Sequence, residues 1–230
     1  APTAVRAFEW HTRFGHRFHL VGLDIIRCDQ TFFRKILHNF PALRRLTVRQ
    51  PILDSGIGSL EPIAAAPALQ SLSLVRAMHT GIVTWKDLAP LGSCVTLQSF
   101  TLQLPPASAS RIENLDALGT CARLRVLDLR CCHLNVEELQ RLASTGSAAA
   151  WALETLTLKE CLLLPQHLTC LRGFSKLSHL DLSLNRTLTT TEGLELCPQL
   201  QVLVLTGCAY MEDITSLGHC AQLRTLYLTA

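Results

Sequence analysis

The side chains best suited to chemistry in this chain are its ten cysteines and nine histidines. Two clusters bring them together: Cys131-Cys132-His133, and the trio Cys161, His167 and Cys170. Thiolate and imidazole groups can hold zinc or form a nucleophile–base pair. Neither cluster contains the paired C-x₂-C spacing that a structural zinc site uses. The chain also lacks a P-loop, GxGxxG, HExxH or GxSxG motif. These features predict no catalytic residue, no cofactor and no metal site, so the cysteines need another explanation.

Composition narrows the choice. At 230 residues the chain can bury one sizeable core; it is 48% hydrophobic but only 6% aromatic, so leucine must fill the interior. A net charge of +3 argues against a global electrostatic grip on nucleic acid or membrane, while allowing a local patch. No apolar run approaches the ~20 residues of a membrane-spanning helix. The start has neither an initiator Met nor a signal-peptide core, so the chain is expected to be processed or part of a longer protein.

The elements that position the cysteines come from a repeat. The pattern L-x-x-L-x-L, with Ile, Val or Phe allowed, begins at Leu20, Leu43, Leu69, Leu97, Leu124, Leu153, Leu177, Leu200 and Leu223. Successive intervals run from 23 to 29 residues. In Leu124-Arg-Val-Leu127-Asp-Leu129 the closing alternation has the period of a strand with one buried face. Upstream, Leu115, Leu118 and Cys121 recur every third residue, which suits 3₁₀ turns or a short helix on the opposite side. One such unit cannot bury its leucines alone, so units must stack.

From about residue 20 onward the chain resembles the leucine-rich repeat superfamily, in its intracellular, cysteine-containing form. The resemblance implies an α/β solenoid: a horseshoe with a parallel concave β-sheet, and short helices, 3₁₀ turns or loops on the convex side. Residues 20–230 would form about nine units, a stretch of a longer array. Residues 1–19, with Phe8, Trp10, Phe14 and Phe18 among Arg6, Arg13 and Arg17, would form an aromatic N-terminal cap or partial repeat.

Within this register the cysteines fall into two slots. Cys94, Cys121, Cys197 and Cys220 lie three residues before a first leucine, a place that Phe40, Ala66, Ala150 and Phe174 take elsewhere. Cys28, Cys132, Cys161 and Cys208 lie eight residues after one, and Asn185 fills that slot in the seventh unit. In the family this side chain points inward and bonds backbone groups of the neighbouring turn. The cysteines therefore read as reduced, buried packing residues of an intracellular protein, cytoplasmic or nuclear. The sequon Asn185-Arg186-Thr187 reads as coincidental for the same reason. Cys131 and Cys170 lie outside both slots, and the register predicts that Cys131 points away from the core.

Two stretches have capping-box spacing, Asn135 to Glu138 and Thr189 to Glu192. NVEELQRLAST is the foremost candidate for a convex-side α-helix, followed by TFFRKILHNF at residues 31–40. Arg44, Arg45 and Arg49, together with Arg34 and Lys35, read by default as a solvated face, with a positive patch at one end that binds an anionic partner as the alternative.

Residues alternating with the inward leucines face the concave side. Ser, Thr and Val dominate there, a wall that loses little entropy when covered. The charged and aromatic exceptions are the candidate partner-binding residues: Arg45, Arg49, Arg130, Lys159, His179, Asp181 and Tyr227. The expected function is a non-enzymatic scaffold or adaptor that binds a protein partner on the concave surface within a larger complex. An extracellular recognition ectodomain is the first alternative, and an RNA- or ribonucleoprotein-associated protein using the basic end is the second. The final unit stops straight after its strand, at Leu226-Tyr-Leu228-Thr-Ala230, so continuation of the chain or a covering partner is expected.

Overall fold

The computed structural model describes residues 20–26, 28–50, 59–76, 87–106, 111–145 and 152–229. The proposed N-terminal cap, residues 1–19, lies outside them.

Each leucine pattern becomes a short strand. These are β1 (Gly22–Ile26), β2 (Arg45–Gln50), β3 (Ser71–Arg76), β4 (Ser99–Gln103), β5 (Val126–Arg130), β6 (Thr155–Lys159), β7 (His179–Asp181), β8 (Val202–Val204) and β9 (Thr225–Tyr227). They pair in sequence order into one open parallel sheet of nine strands. Every register matches equivalent repeat positions, as in Val126 opposite Thr155 and Leu127 opposite Leu156. The alternation shows directly in burial: in β3 through β6 the leucine and phenylalanine positions are buried and their neighbours half-buried. A fully buried leucine contributes about 2 kcal/mol, so the stacked rows Leu72–Phe100–Leu127–Leu156–Leu180 and Leu74–Leu102–Leu129–Leu158 supply much of the stability.

The returns on the other side are mostly 3₁₀ turns, as at Leu115–Thr120, because an apolar residue at every third place matches a three-residue turn. Among the described residues three returns hold α-helices instead. Helix α1 (Gln30–Asn39) starts where the Asp29 carboxylate accepts the Phe32 N–H at 2.7 Å, and buries Phe33, Ile36 and Leu37. Helix α2 (Val136–Thr145) lies in the expected NVEELQRLAST segment, and the Asn135 side chain accepts the Glu137 N–H at 3.1 Å. Glu138 does not complete a capping box: its Oε2 is buried with no partner among the described residues.

The second capping-box expectation fails. Thr189 to Glu192 leads only into a single 3₁₀ turn, Leu194–Leu196. Gly193 intervenes at φ +101°, with its N–H bound by Glu195 Oε2 at 2.8 Å, so the chain enters the turn left-handed. Conversely, a short third helix, α3 (Pro165–Cys170), forms where no capping residue announced it. Its start is held by a buried imidazole: His167 Nδ1 accepts the Leu164 N–H at 2.9 Å.

Past each strand the chain turns, and the turn decides which side chain goes in. Cys131, Glu160 and Leu184 adopt φ of 56°, 55° and 62°, and Gly207 occupies the same repeat position at 74°. This left-handed step keeps the backbone ladder running: Cys131 N–H donates to Lys159 O, and Glu160 N–H to Ser183 O, each at 2.9 Å. The next residue then points inward. Asn185 accepts the Cys161 N–H at 2.9 Å and donates to Leu158 O and Leu182 O at 2.7 Å. Cys161 and Cys208 donate through sulfur to the corresponding carbonyls of the preceding unit, Leu129 O at 3.4 Å and Leu182 O at 3.2 Å. The inward Asn/Cys slot is therefore a hydrogen-bonding slot, and Asn185 is fully buried.

The register argument was wrong about Cys131. It is buried, 8% exposed, with its thiol 3.5 Å from Glu160 Oε2. The left-handed turn breaks the strict in–out alternation, so Cys131 packs along the turn while Cys132 takes the inward place. Cys170, outside both slots, is likewise buried, in α3.

Candidate functional site

The sheet face opposite the returns carries three rows of side chains, one for each alternating strand position. The pairing places Arg45, Ser71, Ser99, Val126, Thr155 and His179 in the first row, by successive registers. The middle row includes Asp24, Asp128, Asp181 and Tyr227. Arg49, Arg130 and Lys159 belong to the row at the carboxyl end of the strands.

All seven candidates therefore share one face, but not one place. Arg130, Lys159, His179 and Asp181 gather on the adjacent strands β5 to β7. Arg45 and Arg49 sit on β2, and Tyr227 stands on β9, 55% exposed. The alternative of a single basic patch divides: Arg34 and Lys35 belong to α1, on the return side, away from the sheet positions of Arg45 and Arg49.

The face is internally charge-matched, a feature that side-chain type alone did not show. Asp24 pairs with Arg49 at 3.1 Å, although both are more than half exposed, so the pair contributes under about 1 kcal/mol. Asp128 takes a two-pronged contact from Arg130, Nε to Oδ1 at 2.8 Å and Nη2 to Oδ2 at 2.9 Å. That hydrogen bond, above all, raises the Arg130 guanidinium above its ordinary value. Asp181 accepts the backbone N–H of Ser183 at 2.9 Å and also its hydroxyl. His179 Nδ1 lies 2.9 Å from the Ser178 hydroxyl. The sequence signal was present in the spacing, because Asp128 and Arg130 alternate on one strand face.

The cysteine clusters form a different environment. All ten cysteines are free and buried. Burial first, then the Cys161 and Cys131 thiols, pushes Cys132 well above the ordinary thiol value. Burial likewise holds Cys28, Cys161 and Cys197 up at about 12, and Cys131 too, helped by the Glu160 carboxylate. Such thiols stay protonated at neutral pH and are poor nucleophiles and ligands. Among the described residues no group of three His, Cys, Asp or Glu side chains is placed to hold a metal ion. No described helix is long and apolar enough to cross a membrane.

No family model matches the sequence, and no curated protein matches it. Solved structures do. An internalin (inlF) from Listeria monocytogenes superposes with TM-score 0.53 at 16% identity, over 84% of this chain and 56% of that one. An LRR protein of Leptospira interrogans gives 0.59 at 20% identity, over 91% and 48%. TLR13, in its complex with ssRNA13, gives 0.58 at 18% identity, over 91% and 32%. The chain thus spans between a third and somewhat over half the length of these proteins. Together with the nine in-register units, the likenesses establish the fold: this chain is a leucine-rich repeat solenoid.

Proposed function

We propose that the protein is a non-enzymatic interaction scaffold or adaptor, one component of a larger intracellular assembly, that binds a protein partner on its concave sheet. The observation that carries this reading is the grouping of Arg130, Lys159, His179 and Asp181 on β5 to β7. They stand on a rigid wall whose other side chains are short. Preset strands lose little entropy on binding, and charged or aromatic anchors contribute most of the affinity. The ten free, protonated thiols support a reducing compartment.

The test is capture from native extract followed by mass spectrometry, with three baits: the unmodified protein, an Arg130→Glu/Lys159→Glu double variant, and Lys35→Glu on α1. The proposal expects a defined partner set retained by the unmodified protein and by Lys35→Glu, and lost with the double variant. Retention by the double variant would remove the β5 to β7 grouping as the anchor of the partner.

A further inference from the structure

The concave charges are not used up evenly. Asp24 engages Arg49, Asp128 engages Arg130, and Asp181 is occupied by Ser183. Arg45 has no acidic partner among the described residues. Its guanidinium lies across β1 at Gly22, where an added Cβ would meet Nε and Nη2 at 3.4 Å. A side chain at residue 22 would thus crowd the position that Arg45 occupies.

Beside Arg45 the wall is made of hydroxyls. Ser71 pairs with Arg45 and Ser99 with Ser71 along the first row; Thr47, Ser73 and Thr101 form the middle row alongside them. All five are half-buried, and none of their hydroxyls has a hydrogen-bond partner among the described residues. Hydroxyls both donate and accept, so this grid suits the alternating N–H and C=O groups of an extended main chain. On β5, β7 and β8 the same rows carry Val126, Asp128, His179, Asp181, Val202 and Val204, so the hydroxyls of β6, Thr155 and Thr157, stand apart from the continuous grid on β2 to β4.

Resting on the scaffold reading above, we propose that β2 to β4 seat an extended peptide segment of the protein partner, with one Asp or Glu carboxylate on Arg45. The charge count selects a carboxylate over a phosphate. On these strands one guanidinium is open, and its neighbour Arg49 is already paired with Asp24, so a single positive charge is left to match a single carboxylate. The same count disfavours a polyanion such as RNA, which needs several open cations in a row.

A displayed library of random linear peptides, selected on the unmodified protein and on Arg45→Gln, tests this. Peptides selected on the unmodified protein should carry an acidic residue at one fixed position. Their affinity should fall about tenfold on Arg45→Gln, and by a similar factor when that residue becomes Gln in the peptide, without the two losses adding. Arg45→Lys should recover part of the loss. Selection of no peptide, peptides without a fixed acidic position, or equal binding to Arg45→Gln overturns the proposal. So does tighter binding of the phosphoserine version of a selected peptide, or of single-stranded RNA. Capture from extract that depends on Arg130 and Lys159, with no acidic selection at Arg45, would leave the scaffold reading standing and remove only this inference.

Discussion

Asn185 accepts the backbone N–H of Cys161 at 2.9 Å, and Cys161 occupies the same inward slot one unit earlier. One repeat position is thus filled by an amide in one unit and a thiol in the next, both bonding the turn before them. The amide does more: it also accepts the Leu163 N–H at 3.2 Å and donates to two carbonyls at 2.7 Å. Asn185→Ala should therefore destabilise by about 3 kcal/mol in a urea titration, since several buried backbone groups lose their partner at once. Asn185→Cys, which preserves the slot's chemistry, should cost under half as much.

Cys131 tests the turn geometry. Because its φ is 56°, like that of Gly207 in its slot, Cys131→Gly should be within about 1 kcal/mol of neutral. A β-branched residue there is strained, so Cys131→Val should cost about 2 kcal/mol. Equal midpoints for the two variants would contradict the left-handed assignment.

Gly173 marks a close approach between returns. A Cβ there would lie 2.6 Å from the Ala143 carbonyl oxygen and 2.7 Å from its Cβ, so α2 would have to move. Gly173→Ala should lower stability by about 2 kcal/mol, and the effect should shrink when Ala143 is also Gly, which removes one of the two contacts.

Burial of the thiols makes the fold sensitive to alkali. In the unfolded chain a thiol loses its proton near the ordinary value of 9.0, whereas Cys28, Cys161 and Cys197 hold theirs to about 12. Above pH 9 the unfolded state binds fewer protons than the folded state. Stability contributed by these groups is complete below that pH and is lost as pH rises towards 12, at up to about 1.4 kcal/mol per pH unit for each thiol. Denaturation midpoints measured between pH 7 and 11 should fall steeply after 9, and more shallowly for Cys161→Ala than for the unmodified chain. Midpoints independent of pH would contradict the buried-thiol account.

Glu138 is the converse case. Burial raises its carboxyl above the ordinary value, and its Oε2 has no partner. The charged form is the costly one, so stability from this group is present in acid and lost as pH rises through its folded pKa. Glu138→Gln should stabilise the protein at pH 7 by about 1 kcal/mol, with the gain disappearing near pH 4.

The strands and their register were legible because leucine at three fixed places leaves one answer to which side is buried; every pairing from Gly22–Arg45 to Val204–Tyr227 follows it. What escaped were features set by backbone dihedrals and by neighbouring units. The alternation rule could not foresee the left-handed turn at Cys131, nor could capping-box spacing reveal that Gly193 would interrupt Thr189 to Glu192. Helix α3 was hidden because its cap is an imidazole at His167 in place of a Ser, Thr, Asp or Asn. Candidate surface residues could be placed on a face, but their separation into β2, β5 to β7 and β9, and the Asp24–Arg49 and Asp128–Arg130 pairs, needed the stacked units.

Covalent side-chain footprinting of the captured complex is the most direct test of the concave-face account. On partner binding, Lys159, His179 and Tyr227 should lose reactivity, while Lys35 on α1 keeps its own. Protection of Lys35 with Lys159, His179 and Tyr227 unchanged would place the partner on the convex side and contradict the account.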